Sequence, residues 1–157
     1  MEWLLVLRWA HILGATVLMG TGAGIAFFMV MAQRSRNPAV IAHVAGIVVI
    51  ADTLFTATAA IVQPMTGVLL ALEIGWDLSE SWILTGIALY VFVGVFWLPV
   101  VWIQIQLRDL ARIATIENTP LPPRYHRLYR IWFAFGFPAF AAMLAIFWVM
   151  IARPEIW

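Results

Sequence analysis

Four apolar stretches, each long enough to cross a bilayer, constrain this chain more than any other feature. A bilayer core requires about 20 mainly apolar residues per helix. Such runs extend from about Trp3 to Met31, Val40 to Leu72, Trp82 to Leu107 and Leu128 to Ala152. Turn-forming or polar segments separate them: Arg34-Ser35-Arg36-Asn37-Pro38, then Glu73 to Glu80, then Arg108 to Arg127 with Pro120, Pro122 and Pro123. The pattern predicts an all-α integral membrane four-helix bundle, antiparallel, with residues 1–157 forming one transmembrane domain. Pro64 predicts a kink or a tilt in the second stretch, which is longer than a simple span. The first stretch opens on Glu2 instead of a basic segment, and its apolar run exceeds the ~7–15 residues of a signal-peptide core, so it reads as a retained span.

Composition removes several function classes. Of 157 residues, 64% are hydrophobic and 11% charged, whereas a soluble domain sits near about 45–50% and 25%. With no Cys, disulfides and thiolate metal sites are excluded. All nine cations are Arg, so Schiff-base lysine chemistry is excluded too, and the net charge of +1 gives no reason to expect nucleic acid.

Loop charge predicts orientation. Arg34 and Arg36 follow the first stretch, and Arg108, Arg112, Arg124, Arg127 and Arg130 surround the third connection, while the second carries Glu73, Asp77 and Glu80 without one Arg. Cationic loops face the cytoplasm. Both termini would then lie outside a bacterial inner membrane, with Trp3, Trp76, Trp82, Trp148 and Trp157 forming an outer aromatic belt.

Polar side chains are costly in lipid, so those inside the stretches mark interior faces. Asp52, Thr56, Gln63 and Thr66 recur at helical spacing and predict one narrow polar face. Asp52, near mid-membrane, is a candidate proton relay or, equally, a clamp between helices. Gly86, Tyr90, Gly94, Trp97, Val101, Gln104 and Arg108 predict a matching stripe on the third helix. On the first, Leu4, Arg8, His11, Ala15, Leu18 and Gly22 share a face, with Gly20 and Gly24 as a small-xxx-small step that permits a homodimer.

His11 lies ~10 Å from the outer end at 1.5 Å per residue, and Gln63, Tyr90 and Met143 fall at similar depth on their own helices. Neutral imidazole is a common metal ligand and a usual axial ligand of haem. Arg8, one turn outward, has the chemistry to pair with a propionate. The alternative for His11 is a hydrogen bond between helices. His43 is rotated away from Asp52 near the other boundary, and His126 sits among arginines on a surface that faces lipid headgroups. A second axial ligand would come from Met143 or Met65, solvent, or another subunit.

The segment Leu7-Arg8-Trp9-Ala10-His11-Ile12-Leu13-Gly14-Ala15 resembles the first helix of the haem-binding membrane protoporphyrinogen oxidases and, more loosely, of copper-resistance D-type proteins. The closer resemblance is to a bacterial integral membrane family of unknown function, domain of unknown function 2269. It rests on Ala51-Asp52-Thr53-Leu54-Phe55-Thr56, Gln63-Pro64-Met65-Thr66-Gly67, Trp97-Leu98-Pro99-Val100-Val101-Trp102, the segment from Trp132 to Phe140, and Arg153-Pro154. The oxidase resemblance implies a haem protein with His11 as axial ligand. The chain departs from it in having no Lys, whereas that family carries an important intramembrane lysine.

Two functions follow as expectations. One is a b-type haem membrane protein that transfers electrons, with quinone or a membrane redox partner; His11 would hold iron, Arg8 a propionate, and Gln63 and Tyr90 would supply hydrogen bonds. The other is a cofactor-free membrane module that binds lipid or a small solute or helps to assemble a complex.

Overall fold

The computed structural model describes residues 2–157. Five α-helical segments make four spans. Helix α1 covers Glu2–Arg34; α2 (Pro38–Ala51), a π-helical turn (Asp52–Thr56) and α3 (Ala57–Ile74) form one continuous second span; α4 covers Ser81–Ile116 and α5 Pro123–Ala152. All four spans are long and apolar enough to cross a membrane. The protein is an all-α four-helix membrane bundle. Its helices overrun the apolar runs that announce them: α4 continues past Leu107 to Ile116, and α5 begins at Pro123, ahead of Leu128. Arginines tolerate helix well outside the hydrocarbon, so hydropathy marks the lipid-immersed length and not where the helix stops.

Local chemistry sets the helix ends. Arg36 adopts a left-handed conformation (φ 54°) just after α1. Asn37 then caps α2 by accepting the Ala39 N–H at 2.9 Å, with Pro38 in the first turn. Gly75, left-handed at φ 85°, ends α3, and the Gly75 and Trp76 N–H groups both return to the Ala71 carbonyl. Asn118 (φ 53°) closes α4 in the same manner, with Thr119 N–H on Ala114 O at 2.9 Å.

Two apolar cores hold the spans together. Near the arginine-rich end, Met29, Ile41, Ala45, Leu107, Tyr125 and Trp132 join all four spans, and the Tyr125 hydroxyl donates to Gln33 Oε1 at 2.8 Å. Near the acidic end, Ala71, Trp82, Ile83 and Val149 form a smaller cluster. There Arg153 lies 4.4 Å from the Trp76 ring centre and 5.5 Å from that of Trp82. The close pairings are α4 with α5, α2 with α4, α1 with α3 and α1 with α2, whereas α1 with α5 and α3 with α4 touch only sparsely. A hydrogen bond bridges α3 and α4, whereas α1 and α5 are joined by one only at the arginine-rich end, so the bundle is loosely closed along the rest of the α1–α5 side. Large apolar side chains such as Trp9, Ile12, Ile61, Leu98 and Ile151 point outward, the arrangement lipid stabilises and water does not.

Candidate functional site

Two polar clusters lie between the cores, and the second span contributes to both. The first centres on His11. The buried positions of α1 are Leu7, Gly14, Leu18, Ile25, Met29 and Ala32, so the interior face is centred on Leu7, His11 and Gly14. The expected face through Leu4, Arg8 and Gly22 is rotated from this one: Arg8 and Gly22 are exposed. Across from His11, α3 presents Gln63, Thr66 and Gly67. His11 Nδ1 lies 2.9 Å from Thr66 Oγ1, and His11 Nε2 lies 3.3 Å from Gln63 Nε2. A carboxamide nitrogen only donates, so Nε2 accepts and Nδ1–H donates to Thr66. The Thr66 hydroxyl returns its own proton to the Val62 and Gln63 carbonyls at 2.9 and 3.0 Å.

Two glycines make this approach possible. A Cβ at Gly67 would stand 3.1 Å from His11 Cε1, and a Cβ at Gly14 would run into Gln63 Oε1. Imidazole and carboxamide thus each fill the hollow that a missing side chain leaves on the facing helix. Gln63 Oε1 is buried and has no hydrogen-bond partner.

The second cluster centres on Asp52, only 3% exposed, at the π-turn. Trp97 Nε1 of α4 donates to Asp52 Oδ1 at 3.2 Å. With the Gln104 carboxamide oriented to satisfy its neighbours, its nitrogen donates to Asp52 Oδ2 at 3.0 Å and its oxygen accepts from Trp132 Nε1 of α5 at 3.2 Å. One carboxyl thereby links the second, third and fourth spans. Thr56 Oγ1, one turn on, is buried without a partner.

The expected single polar face of the second span is accordingly two faces. Asp52 looks toward α4 and α5, while Gln63 and Thr66 look toward α1. Tyr90 belongs to neither cluster: its hydroxyl donates to the Ala60 carbonyl at 2.5 Å. Pro64 has no N–H with which to satisfy that carbonyl four residues earlier, and Tyr90 of α4 supplies the missing donor. Met143 sits on α5, which barely meets α1, and has no hydrogen bond to His11. His43 and Met65 are exposed, and His126 lies at the arginine-rich end. Gly20 and Gly22 face open space.

Of the residues that sequence put at a haem, the structure brings together His11 and Gln63, while Arg8, Tyr90 and Met143 make no hydrogen bond to either. As packed, this set does not fit a haem enclosed within one chain: the Gln63 carboxamide covers Nε2, the Gly67 backbone covers Cε1, and no second axial donor converges. Among the described residues no three His, Asp or Glu side chains cluster as a metal site. Sequence reasoning did not single out Thr66 and Trp97 as direct partners of His11 and Asp52, and it missed Trp132 altogether. The signal for Trp97 was present, because it shares a stripe with Gln104 at a spacing of seven.

A family model described as "Predicted integral membrane protein (DUF2269)" matches residues 5–154. The chain belongs to that family. Neither the curated proteins nor the solved structures contain a significant match to it. The family description states the membrane character that the four spans display and assigns no activity.

Proposed function

We propose that this protein is a cofactor-free membrane module that binds a lipid or small amphiphile from the surrounding bilayer at the loosely closed α1–α5 side of its bundle. The observation that carries this reading is the closure of His11, whose two ring nitrogens are both engaged by side chains of α3. An imidazole held in this way ties helices together. Asp52 has the same role between the second, third and fourth spans, accepting from an indole and a carboxamide. The clusters tie the first span to the second and the second to the third and fourth, and neither joins α1 directly to α5, so that side is the place for a lateral guest. By the positive-inside rule the arginine-rich end faces the cytoplasm of a bacterial inner membrane, with both termini outside.

The test is the absorption spectrum and metal content of gently purified protein after expression with ample haem, together with the mass of any co-purified lipid. Colourless protein carrying lipid supports the reading. A Soret band that His11→Ala abolishes overturns it.

A second reading keeps the redox role and rests on the tautomer. Thr66 draws the proton to Nδ1 and leaves the Nε2 lone pair as the ligating side, covered only by Gln63, whose oxygen is orphaned. Haem b, supplying one-electron chemistry beside a quinone or membrane redox partner, would require that carboxamide to swing away. Gln63→Ala would then strengthen haem uptake; unchanged, colourless protein would refute this second reading.

A further inference from the structure

At the arginine-rich end, a groove of about 800 Å³ opens between the end of α1, the start of α2, the α4–α5 connection and the first turns of α5. Arg34, Arg36, Asn37, His126, Tyr129 and Phe133 line it. Neither arginine has a carboxylate within 4 Å; among the described residues the one ion pair is Arg108 with Asp109, elsewhere on the bundle. Two cations and a histidine thus converge on a hollow with no anion of the protein's own to neutralise them. Arg36 holds its place in the left-handed region, where glycine would be unstrained and an ordinary side chain is not.

The groove also has an apolar exit. Tyr129 stacks on Phe133 with ring centres 6.3 Å apart, and Phe133 meets Phe137 edge to face at 5.2 Å. Phe133 and Phe137 are exposed. This aromatic ladder leads along α5 from the groove toward the bilayer interior. The depth is right as well. Helix α1 has 33 residues, about 50 Å at 1.5 Å per residue, against about 30 Å of hydrocarbon and about 40–45 Å with headgroups. A helix of this length leaves the hydrocarbon well before its last turn, so Arg34, its last residue, lies outside the hydrocarbon, within reach of the headgroups.

We infer that this groove is a binding site for an anionic phospholipid, its phosphate between Arg34, Arg36 and His126 and one acyl chain along Tyr129, Phe133 and Phe137. The inference rests on the cofactor-free reading above and gives its guest a chemical class. A free phosphate satisfies the cations and leaves the aromatic ladder unused; a phospholipid satisfies both.

The experiment uses the full chain in a mild non-ionic detergent and follows thermal melting while phosphatidylglycerol, phosphatidylcholine or inorganic phosphate is titrated in. Phosphatidylglycerol should stabilise the protein far more than phosphatidylcholine, and inorganic phosphate should not stabilise it. An arginine that hydrogen-bonds a bound phosphate is worth about ten-fold or more in affinity. The double substitution Arg34→Gln with Arg36→Gly should therefore weaken phosphatidylglycerol binding about 100-fold, while the glycine leaves the unliganded fold at least as stable. Phe133→Ala should weaken phosphatidylglycerol binding although both groove arginines remain. Arg130→Gln, at the same end but outside the groove, should have little effect. Equal losses from Arg130→Gln and from the groove variants would overturn the site as mere surface charge. Stabilisation by phosphate as strong as by lipid would overturn the lipid assignment. The absorption spectrum of the same sample separates the two proposals, since a Soret band there refutes the cofactor-free reading whatever the lipid does.

Discussion

Replacing Thr66 with Val keeps the branched shape and removes the oxygen that receives His11 Nδ1–H. The half-buried imidazole would then present its donor to a methyl group. Hydrogen bonds between membrane helices average about 0.6 kcal/mol and reach about 1.7 kcal/mol. At 2.9 Å the His11–Thr66 bond has a favourable length, so the upper half of that range applies, about 1–1.5 kcal/mol. The His11–Gln63 contact is stretched at 3.3 Å, so Gln63→Leu should lose about 0.5 kcal/mol. Thr66 also donates to carbonyls of its own helix, and that contribution would inflate the single-variant loss. A double-mutant cycle with His11→Leu cancels it. The assay is reversible unfolding in mixed micelles of non-ionic detergent and dodecyl sulfate, followed by tryptophan fluorescence. A coupling near about 1 kcal/mol between positions 11 and 66 is expected; zero coupling would refute the clamp, and with it the argument that His11 is occupied.

Three further perturbations test the framework. Tyr90→Phe should lose about 1–2 kcal/mol by stranding the Ala60 carbonyl, and the loss should shrink once Pro64→Ala restores an N–H to that carbonyl; equal losses in both backgrounds would disprove the compensation. Gly75→Ala should destabilise by about 1–2 kcal/mol because φ is 85° there, read as a lower unfolding midpoint. Outside the spans, the Ser79 N–H and hydroxyl hold the Asp77 carboxyl below its ordinary value of 3.8. The stabilisation this gives is full above that value and is lost as pH falls through the depressed one, so Asp77→Ala should flatten this part of the acid-unfolding profile.

The spans and their order were legible because lipid enforces one rule along the whole length of each helix. The α4 stripe was legible for a related reason: Tyr90, Trp97 and Gln104 on it each found a partner on another helix, while Arg108 at its end pairs with Asp109 of its own helix. Depth matching paired Gln63 with His11, which the structure places in contact, and named Met143, which lies on the helix that meets α1 only sparsely. Depth along a helix follows from counting residues, whereas which helix lies opposite depends on the packing of the whole bundle. Arg8 shows the limit within one helix. It is three residues from His11, and about 60° of rotation separates a half-buried face from an exposed one. The groove at the arginine-rich end escaped because it is assembled from three chain segments that share no motif, although His126 already stood out among arginines.

The second span shows why even a correct periodicity misled. Eleven residues separate Asp52 from Gln63, and at 100° per residue an uninterrupted α-helix returns to within about 20° of the same direction. The π-turn at Asp52–Thr56 closes each hydrogen bond one residue later than an α-turn, so everything beyond it is turned by roughly 100° relative to that count. Thr53 and Thr58 reinforce the irregularity: their hydroxyls return to the Val49 and Leu54 carbonyls at 2.8 and 2.7 Å, contacts that bend helices. The rotation gives the span two working faces where a regular helix has one. Its first half holds α4 and α5 through Asp52; its second half holds α1 through Gln63 and Thr66. A straight second span would leave one of these polar groups in lipid, where no partner offsets its burial. The π-turn is thus the local feature that lets one helix tie both sides of the bundle while α1 and α5 touch only sparsely.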